Sequence, residues 1–464
     1  MTTTEQRIKE RNDLTSGPIW KKLLVYWLPI AAGTVFQQLY SAVDGIVVGK
    51  FVGTGALAAV GGSATYICAL IINFFVALSG GASVIIAQFI GARDDEAVSK
   101  ATHTAVVFSA FSGLLISAAG ILGAPLFLRW MGTPADTVAD ATVYLRTVLF
   151  GAVFTLLYNM GAGILRAAGD SRRPFIYLAV CCMLNIALDL LFVIAFRLGV
   201  RGVAIATVLS QITSASLTLT RLARVDGPYR LAWGKLNLRF ASLGRILRVG
   251  LPLGLQSLMY TMTNTLIQSG INTLGTLVVA SWSLAGKLDG FYWGIVNAAG
   301  VALCNFIGQN YGAGESERVK RSVRVGFLLF EGATAVMIGL LMGFGHQLLP
   351  LFTNDPEAVE MTWKVMTYFV PYYFIWTVIE VFSGALRGRG NTTVPFILTA
   401  IGVCAVRIVW VFIIFPANPS AHLMSYCYPV SWALTATAMV IYYFRTVRRE
   451  KRAKTIGQTY SDTV

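Results

Sequence analysis

Charge is what this sequence has least of. Asp and Glu number 22 and His 3, and charged residues make up 13% of the 464, against about 25% in a soluble domain. A water-solvated globule is excluded. Also missing are the ten-residue alternating strands of an outer-membrane barrel. No Gly-x-x-x-x-Gly-Lys-Ser/Thr loop is present to cradle phosphates, so no ATPase is built in. The three histidines (His103, His346, His422) are scattered, and the six cysteines lie in apolar segments without metal-ligand spacing. They read as buried free thiols. The opening MTTTEQRIKERNDLTSGPIWKK has no short apolar core with a small-residue cleavage site, so no cleaved signal peptide is expected. No catalytic cluster and no cofactor are expected.

What is present is hydrophobic: 56% of residues, with mean hydropathy +0.66. They arrive in stretches of about 20, the length that crosses a bilayer. The expected fold class is an all-α polytopic membrane protein. Twelve spans are predicted, near 20–48, 57–86, 101–124, 138–165, 175–196, 202–222, 246–271, 277–306, 324–346, 358–386, 395–416 and 422–444. Pro29 and Pro252 should kink theirs. The net charge of +15 does not point to nucleic acid, because 29 of the 37 Lys and Arg fall in alternate loops and at the two ends. That pattern places both termini in the cytoplasm.

The two halves repeat each other. AQFIGARDDEAV (87–98) answers GQNYGAGESERV (308–319), and LRAAGDSRRPFI (165–176) answers LRGRGNTTVPFI (386–397), both shifted by 221. Leu28-Pro29 answers Leu251-Pro252, shifted by 223. Six spans per half is an even number, so both halves enter the membrane in one direction and are related by a pseudo-two-fold axis along its normal. The organisation read from this is an N-terminal lobe (1–222), a cytoplasmic loop (223–245), a C-terminal lobe (246–444) and a basic tail (445–464). One lobe rocking against the other is a secondary-transporter plan.

A charge at a span centre costs at least about 2.5–3.5 kcal/mol, so each needs a reason. Asn185 and Asp189 lie four apart, on one helix face. At 1.5 Å per residue Asp189 is about 21 Å from the inner end of its span, and Thr207 about 8 Å below the outer face. Asp44 falls at similar depth. Two carboxylates and two neutral oxygens suit Na⁺ or a proton. The bland alternatives are a helix-end role for Asp44 and an ion pair of Asp189 with Arg197 or Arg201. The C-terminal half lacks this set and carries Glu380 and Arg407 instead, either a structural ion pair or a coupling pair. Glu331 is assigned no function, and Lys287 and Asp289 interrupt the eighth span. Cavity walls are expected from Gln37, Tyr40, Tyr158, Gln256, Tyr260, Asn264 and Trp376, whose amides and rings suit organic cations.

These residues resemble the MATE (multidrug and toxic compound extrusion) transporters over nearly the whole chain. The resemblance rests on LPIAAGTVFQQLYSAVDGIVVGKFVGTGALAAVG, AQFIGARD, LRAAGDSRRP, NIALD, GQNYGAG and LRGRGNTTVP. It implies twelve helices in two six-helix lobes and export of organic compounds by Na⁺ or H⁺ antiport. It also implies a cation site at Asp44, Asn185, Asp189 and Thr207. Family branches with a further acid in span 7 differ here, where the stretch is QSLMYTMTN, and in span 10 Glu380 lies one turn beyond the family's aspartate. A small organic substrate and the lipid bilayer are the expected partners, in a monomeric, multi-pass plasma (inner) membrane protein. A flippase for a lipid-linked sugar is the alternative, disfavoured because most Lys and Arg sit in loops. A non-transport membrane enzyme or receptor is the second alternative.

Overall fold

A computed structural model describes residues 12–52, 60, 62–133, 137–353 and 355–461, the side chains of 42, 63 and 451–461 excepted. The predicted start of the second span at 57 and the last tail residues lie outside these. Among the described residues the chain forms no strand, a short 3-10 turn at Trp233–Lys235 and twelve long helical stretches. They are α1 (Ile19–Val52), α2 (Ser63–Gly91), α3 (Asp95–Trp130), α4 (Val138–Phe150 with Ala152–Ala167), α5 (Arg172–Ala195), α6 (Gly199–Arg224), α7 (Phe240–Asn272), α8 (Thr276–Gly312), α9 (Ser316–Leu351), α10 (Pro356–Gly388), α11 (Thr393–Ala417) and α12 (Ala421–Ser461). Each corresponds to one predicted span. Among the described residues, nine are long and apolar enough to cross a membrane, and α4 makes a tenth if its two parts, bent by 40°, count together. α7 is more polar because Gln256, Thr261, Asn264 and Gln268 lie along it.

The bend in α4 falls at Gly151, where a Cβ would overlap Oε1 of Gln211 on α6. Several helices run beyond the apolar stretch that predicted them. α3 starts at Asp95 rather than near 101, because Asp94 caps it by accepting from the Ala97 N–H at 3.0 Å. Asp95 and Glu96 in its first turn and Arg129 in its last suit the helix dipole.

The chain separates into two compact units. The first comprises Met1–Leu258, Cys304–Ser322 and Gly388–Gly390; the second comprises Met259–Leu303, Val323–Arg387 and Asn391–Val464. In the first, α1 packs on α5, α5 on α6, and α4 on α2, α3 and α6. Its core includes Ile116, Leu128, Leu145, Leu149 and Leu156, with a second cluster around Ile86, Met160, Ile164 and Leu222. In the second unit Ile267 and Ile271 of α7 pack with Val411 and Phe415 of α11 and Met424 and Cys427 of α12.

The sequence repeat is a backbone repeat. Arg93 and Gly314, equivalent at the offset of 221, both adopt the left-handed region (φ 57° and 76°), and so do Gly169 and Gly390 (φ 82° and 83°). The turn after each repeat closes alike: Asp94 N–H donates to Phe89 and Glu315 N–H to Asn310, at 3.1 and 3.0 Å. Asp170 and Asn391 accept from the equivalent N–H groups of Arg173 and Val394, at 3.2 and 3.3 Å. Within the first unit the two copies meet reciprocally. A Cβ at Gly91 would overlap the Gln309 carbonyl oxygen, and a Cβ at Gly312 would overlap that of Gln88. Small residues let backbones approach this closely where lipid offers no hydrophobic drive.

Gly91→Ala and Gly312→Ala are therefore expected to cost about 1–3 kcal/mol each from overpacking. Gly332→Ala, a helical position with open space around it, should be neutral. Melting of the detergent-solubilised protein checks both; equal melting of all three variants would contradict the contact.

Candidate functional site

Asp44 lies in the last α-helical turn of α1, before the π-helical turn Val48–Val52. Asp189 lies near the end of the α-helical part of α5, before the π-helical turn Leu191–Ala195. Such turns shift the helix register and often mark functional sites. The α1–α5 and α5–α6 packing brings the groups together. The Asp44 carboxyl is in hydrogen-bonding contact with both the Asp189 carboxyl and the Tyr40 phenol. Tyr40 in turn contacts the Thr207 hydroxyl on α6, which also donates to the Val203 carbonyl at 3.0 Å. Asn185, one turn before Asp189, is buried (1% exposed), as is Asp189 (0%). Val47, Val48, Val193, Val200 and Val203 pack beside these groups, with Tyr144 against them.

The chemistry follows from the donor set. Two carboxyl groups in hydrogen-bonding contact need a proton or a cation between them, since like charges cannot sit together unneutralised in a medium of low dielectric. Every other group here offers oxygen: a phenol, a hydroxyl and an amide. Such hard ligands suit Na⁺ or H⁺ and not a thiolate-preferring metal.

The phenol of Tyr40, a residue expected at a cavity wall, bridges Asp44 and Thr207. Its i, i+4 spacing to Asp44 was the available signal. Gln37 is exposed on α1, Tyr158 donates to the Pro174 carbonyl at 3.2 Å, and Gln256 is buried in the first unit.

In the second unit the expected pairing of Glu380 with Arg407 is not formed. Glu380 accepts from Arg387 Nη1 at 3.1 Å and lies against Gly300 of α8, where a Cβ would overlap its carboxylate. Arg407 donates to Asn264 Oδ1 at 3.2 Å and to Ser431 Oγ at 3.4 Å, and sits 4.3 Å from the Tyr428 ring centroid. The π-helical turn Ala400–Ala405 of α11 comes just before Arg407 and shifts its register from that of a regular helix. Tyr260 and Trp376 do meet, with ring centroids 5.7 Å apart, and Trp376 also contacts Trp293 at 4.9 Å. Asp289, passed over in the sequence, accepts from Trp293 Nε1 at 2.6 Å and from the Tyr373 hydroxyl.

A double-mutant cycle on stability checks the corrected pairing. Glu380 and Arg387 should show a coupling of about 1 kcal/mol or more, and Glu380 and Arg407 near zero. A larger coupling to Arg407 would restore the sequence-based pair.

The comparisons agree with this architecture. Residues 29–191 and 252–413 each match the family described as MatE, so the profile falls once on each half. A protein named "Probable multidrug resistance protein YoeA" from Bacillus subtilis is 25% identical over 95% of this chain and 96% of its own. An "FAD transporter" from Shewanella oneidensis is 26% identical over 76% of this chain and 78% of its own. A solved structure described as the outward-facing conformation of a multidrug resistance MATE family transporter superposes with a TM-score of 0.88 at 23% identity, covering 95% of this chain and 98% of that one.

Proposed function

The chain belongs to the MatE family of transporters, and on that premise we propose that it exports small organic, often cationic compounds across the plasma membrane in exchange for Na⁺ or H⁺. The observation that carries the reading is the contact of Asp44 with Asp189, closed by Tyr40 and Thr207. In this reading two lobes, 1–222 and 246–444, joined by 223–245 and followed by the tail 445–464, alternate access to either side, with both termini cytoplasmic and a monomer as the working unit.

A cation arriving from outside neutralises the carboxyl pair, with Asn185 and Thr207 supplying further oxygen. Neutralisation removes the repulsion between Asp44 and Asp189 and lets α1 repack against α5 and α6. Tyr40 follows, because its phenol is held by both Asp44 and Thr207. Substrate bound on the cavity face of α1, near Gln37, is then released outward. The lobes rock inward and the ion leaves to the cytoplasm. The cycle runs only because the ion binds the two states with different affinity. Tyr158, Gln256, Tyr260, Asn264 and Trp376 are the further wall groups in this reading. Arg407 holds Asn264 in place, and Glu380 braces α10 through Arg387. The relatives' names cover drugs and a flavin nucleotide, so the cargo class is tested, not assumed.

Purified protein in liposomes, with Na⁺ and pH gradients imposed separately, identifies the driving ion; transport driven by neither would refute antiport. Asp44→Asn and Asp189→Asn are each expected to lower efflux at least about ten-fold with normal expression, since each removes a buried charged partner worth about 1.5–3 kcal/mol. Tyr40→Phe keeps both carboxyls but loses the bridge to Thr207, and a partial loss with altered ion dependence is expected. Full drug resistance in cells carrying either Asn variant would sink the site.

A further inference from the structure

Residues 12–18 precede α1, and nothing in the transport reading uses them. They are nonetheless well anchored. Leu14 is buried, 1% exposed. Its N–H donates to Gln309 Oε1 at 3.2 Å, and its carbonyl accepts from Asn310 Nδ2 at 3.1 Å and Arg318 Nη2 at 3.3 Å. Arg318 also donates to the carbonyls of Ser16 at 2.9 Å and Gly17 at 2.7 Å. Asp13 stiffens the segment by accepting from the Thr15 N–H at 2.9 Å and the hydroxyls of Thr15 and Ser16 at 2.6 and 2.7 Å. Lys22 donates to the Asp13 carbonyl at 2.7 Å.

The segment lies across a seam. On one side are first-half residues: the Asn12 carbonyl sits where a Cβ of Gly169 would be. On the other are Gln309, Asn310 and Arg318, which belong to the second sequence half. Gln309 itself reaches across, donating to the Ala167 carbonyl at 2.6 Å. The same seam holds the reciprocal contacts of Gly91 with Gln309 and of Gly312 with Gln88. All these residues lie in the first compact unit.

The repeat shows which side chains are special to this contact. At the offset of 221, Gln309 matches Gln88, while Asn310 and Arg318 match Phe89 and Ala97. Two of the three side chains that hold the segment are thus ones in which the copies diverge. The segment before α7 lies against the first copy by other means: Ala232 N–H donates to His103 Nε2 at 3.0 Å, Arg239 N–H to Thr104 Oγ1 at 3.3 Å, and the Thr104 hydroxyl to the Asn237 carbonyl at 3.5 Å. That second segment is chained at both ends.

We propose that residues 12–18 are a latch, held by Gln309, Asn310 and Arg318, that must release before the 88–91 and 309–312 turns can part in the transport cycle. Arg318 is the main bolt, because its guanidinium makes three hydrogen bonds to backbone carbonyls. Those carbonyls are independent of side-chain identity, so the bolt reads the path of the segment and not its sequence. Leu14 seats the segment, and Asp13 keeps its carbonyls turned towards Arg318. The inference rests on the alternating-access reading, but its test reads conformation directly.

The experiment uses the full chain with its six cysteines replaced and a single reporter cysteine at Ala87, a buried residue facing Gly308 across the seam. Labelling by a maleimide measures how often the seam opens. Arg318→Ala is expected to raise the labelling rate by about ten-fold or more, since it removes several charge-assisted hydrogen bonds from the closed state only. Arg318→Lys, which keeps the charge but not the planar fork, should fall between, and serves if the alanine variant does not fold. In a separate variant, cysteines at Leu14 and Asn310 are cross-linked; reporter labelling and efflux should both stop and return on reduction. Unchanged labelling in the Arg318 variants, or normal efflux from the cross-linked protein, overturns the latch. Failure of the uncross-linked protein to export any organic cation would instead overturn the transport reading, with the labelling result standing by itself.

Discussion

A carboxyl group inside a bilayer has few tolerable neighbours, and the first unit is arranged around that limit. Asp189 is fully buried and Asp44 partly so. The Asp44 carboxyl meets the Asp189 carboxyl and the Tyr40 phenol, and the phenol in turn meets the Thr207 hydroxyl. To bring these groups together, α1, α5 and α6 must pack side by side at one depth. The valine cluster beside them keeps the local dielectric low, which sharpens every electrostatic difference at the pair. An ion bound there therefore has leverage on the packing of α1 that it would lack at a wet surface.

At the repeat turns the limiting quantity is space and not charge. Helices in lipid gain little from hydrophobic contact with each other, so close approach has to come from small residues and polar contacts. Gly91 and Gly312 provide the approach, and Gln88 and Gln309 the hydrogen bonds across it, to the Gly388 and Ala167 carbonyls at 2.8 and 2.6 Å. The motif is thus the same local device used twice, in reciprocal contact. The copies diverge at Asn310 and Arg318, where one of them receives the segment before α1.

Much of this was legible in the chain. The apolar runs gave all twelve helices, and their constant offset gave the repeat that reappears as matched left-handed residues at 93 and 314 and at 169 and 390. Depth counting puts Asp44, Asp189 and Thr207 at similar depth, and α1, α5 and α6 are α-helical up to those residues. Glu380 and Arg407, expected as a pair, find other partners. α11 is interrupted by π-helical turns, and a register shift of that kind rotates every later side chain. Arg387, a helix-end residue in the sequence, took the place given to Arg407.

Hydropathy and periodicity belong to local chemistry, since each apolar run must be buried in lipid or protein wherever it ends up. They determined the helical membrane class, the spans and the duplicated plan. Which polar group answers which was decided only in three dimensions. A phenol at Tyr40 can face a cavity or turn to a carboxyl one turn away, and the neighbouring Thr207 on another helix settles it. The segment before α1 turns on its own bonds at Asp13, but they do not decide where it lies. It is fixed by Gln309, Asn310 and Arg318, almost 300 residues further on, because unpaired backbone carbonyls take whatever strong donor the packing places in reach.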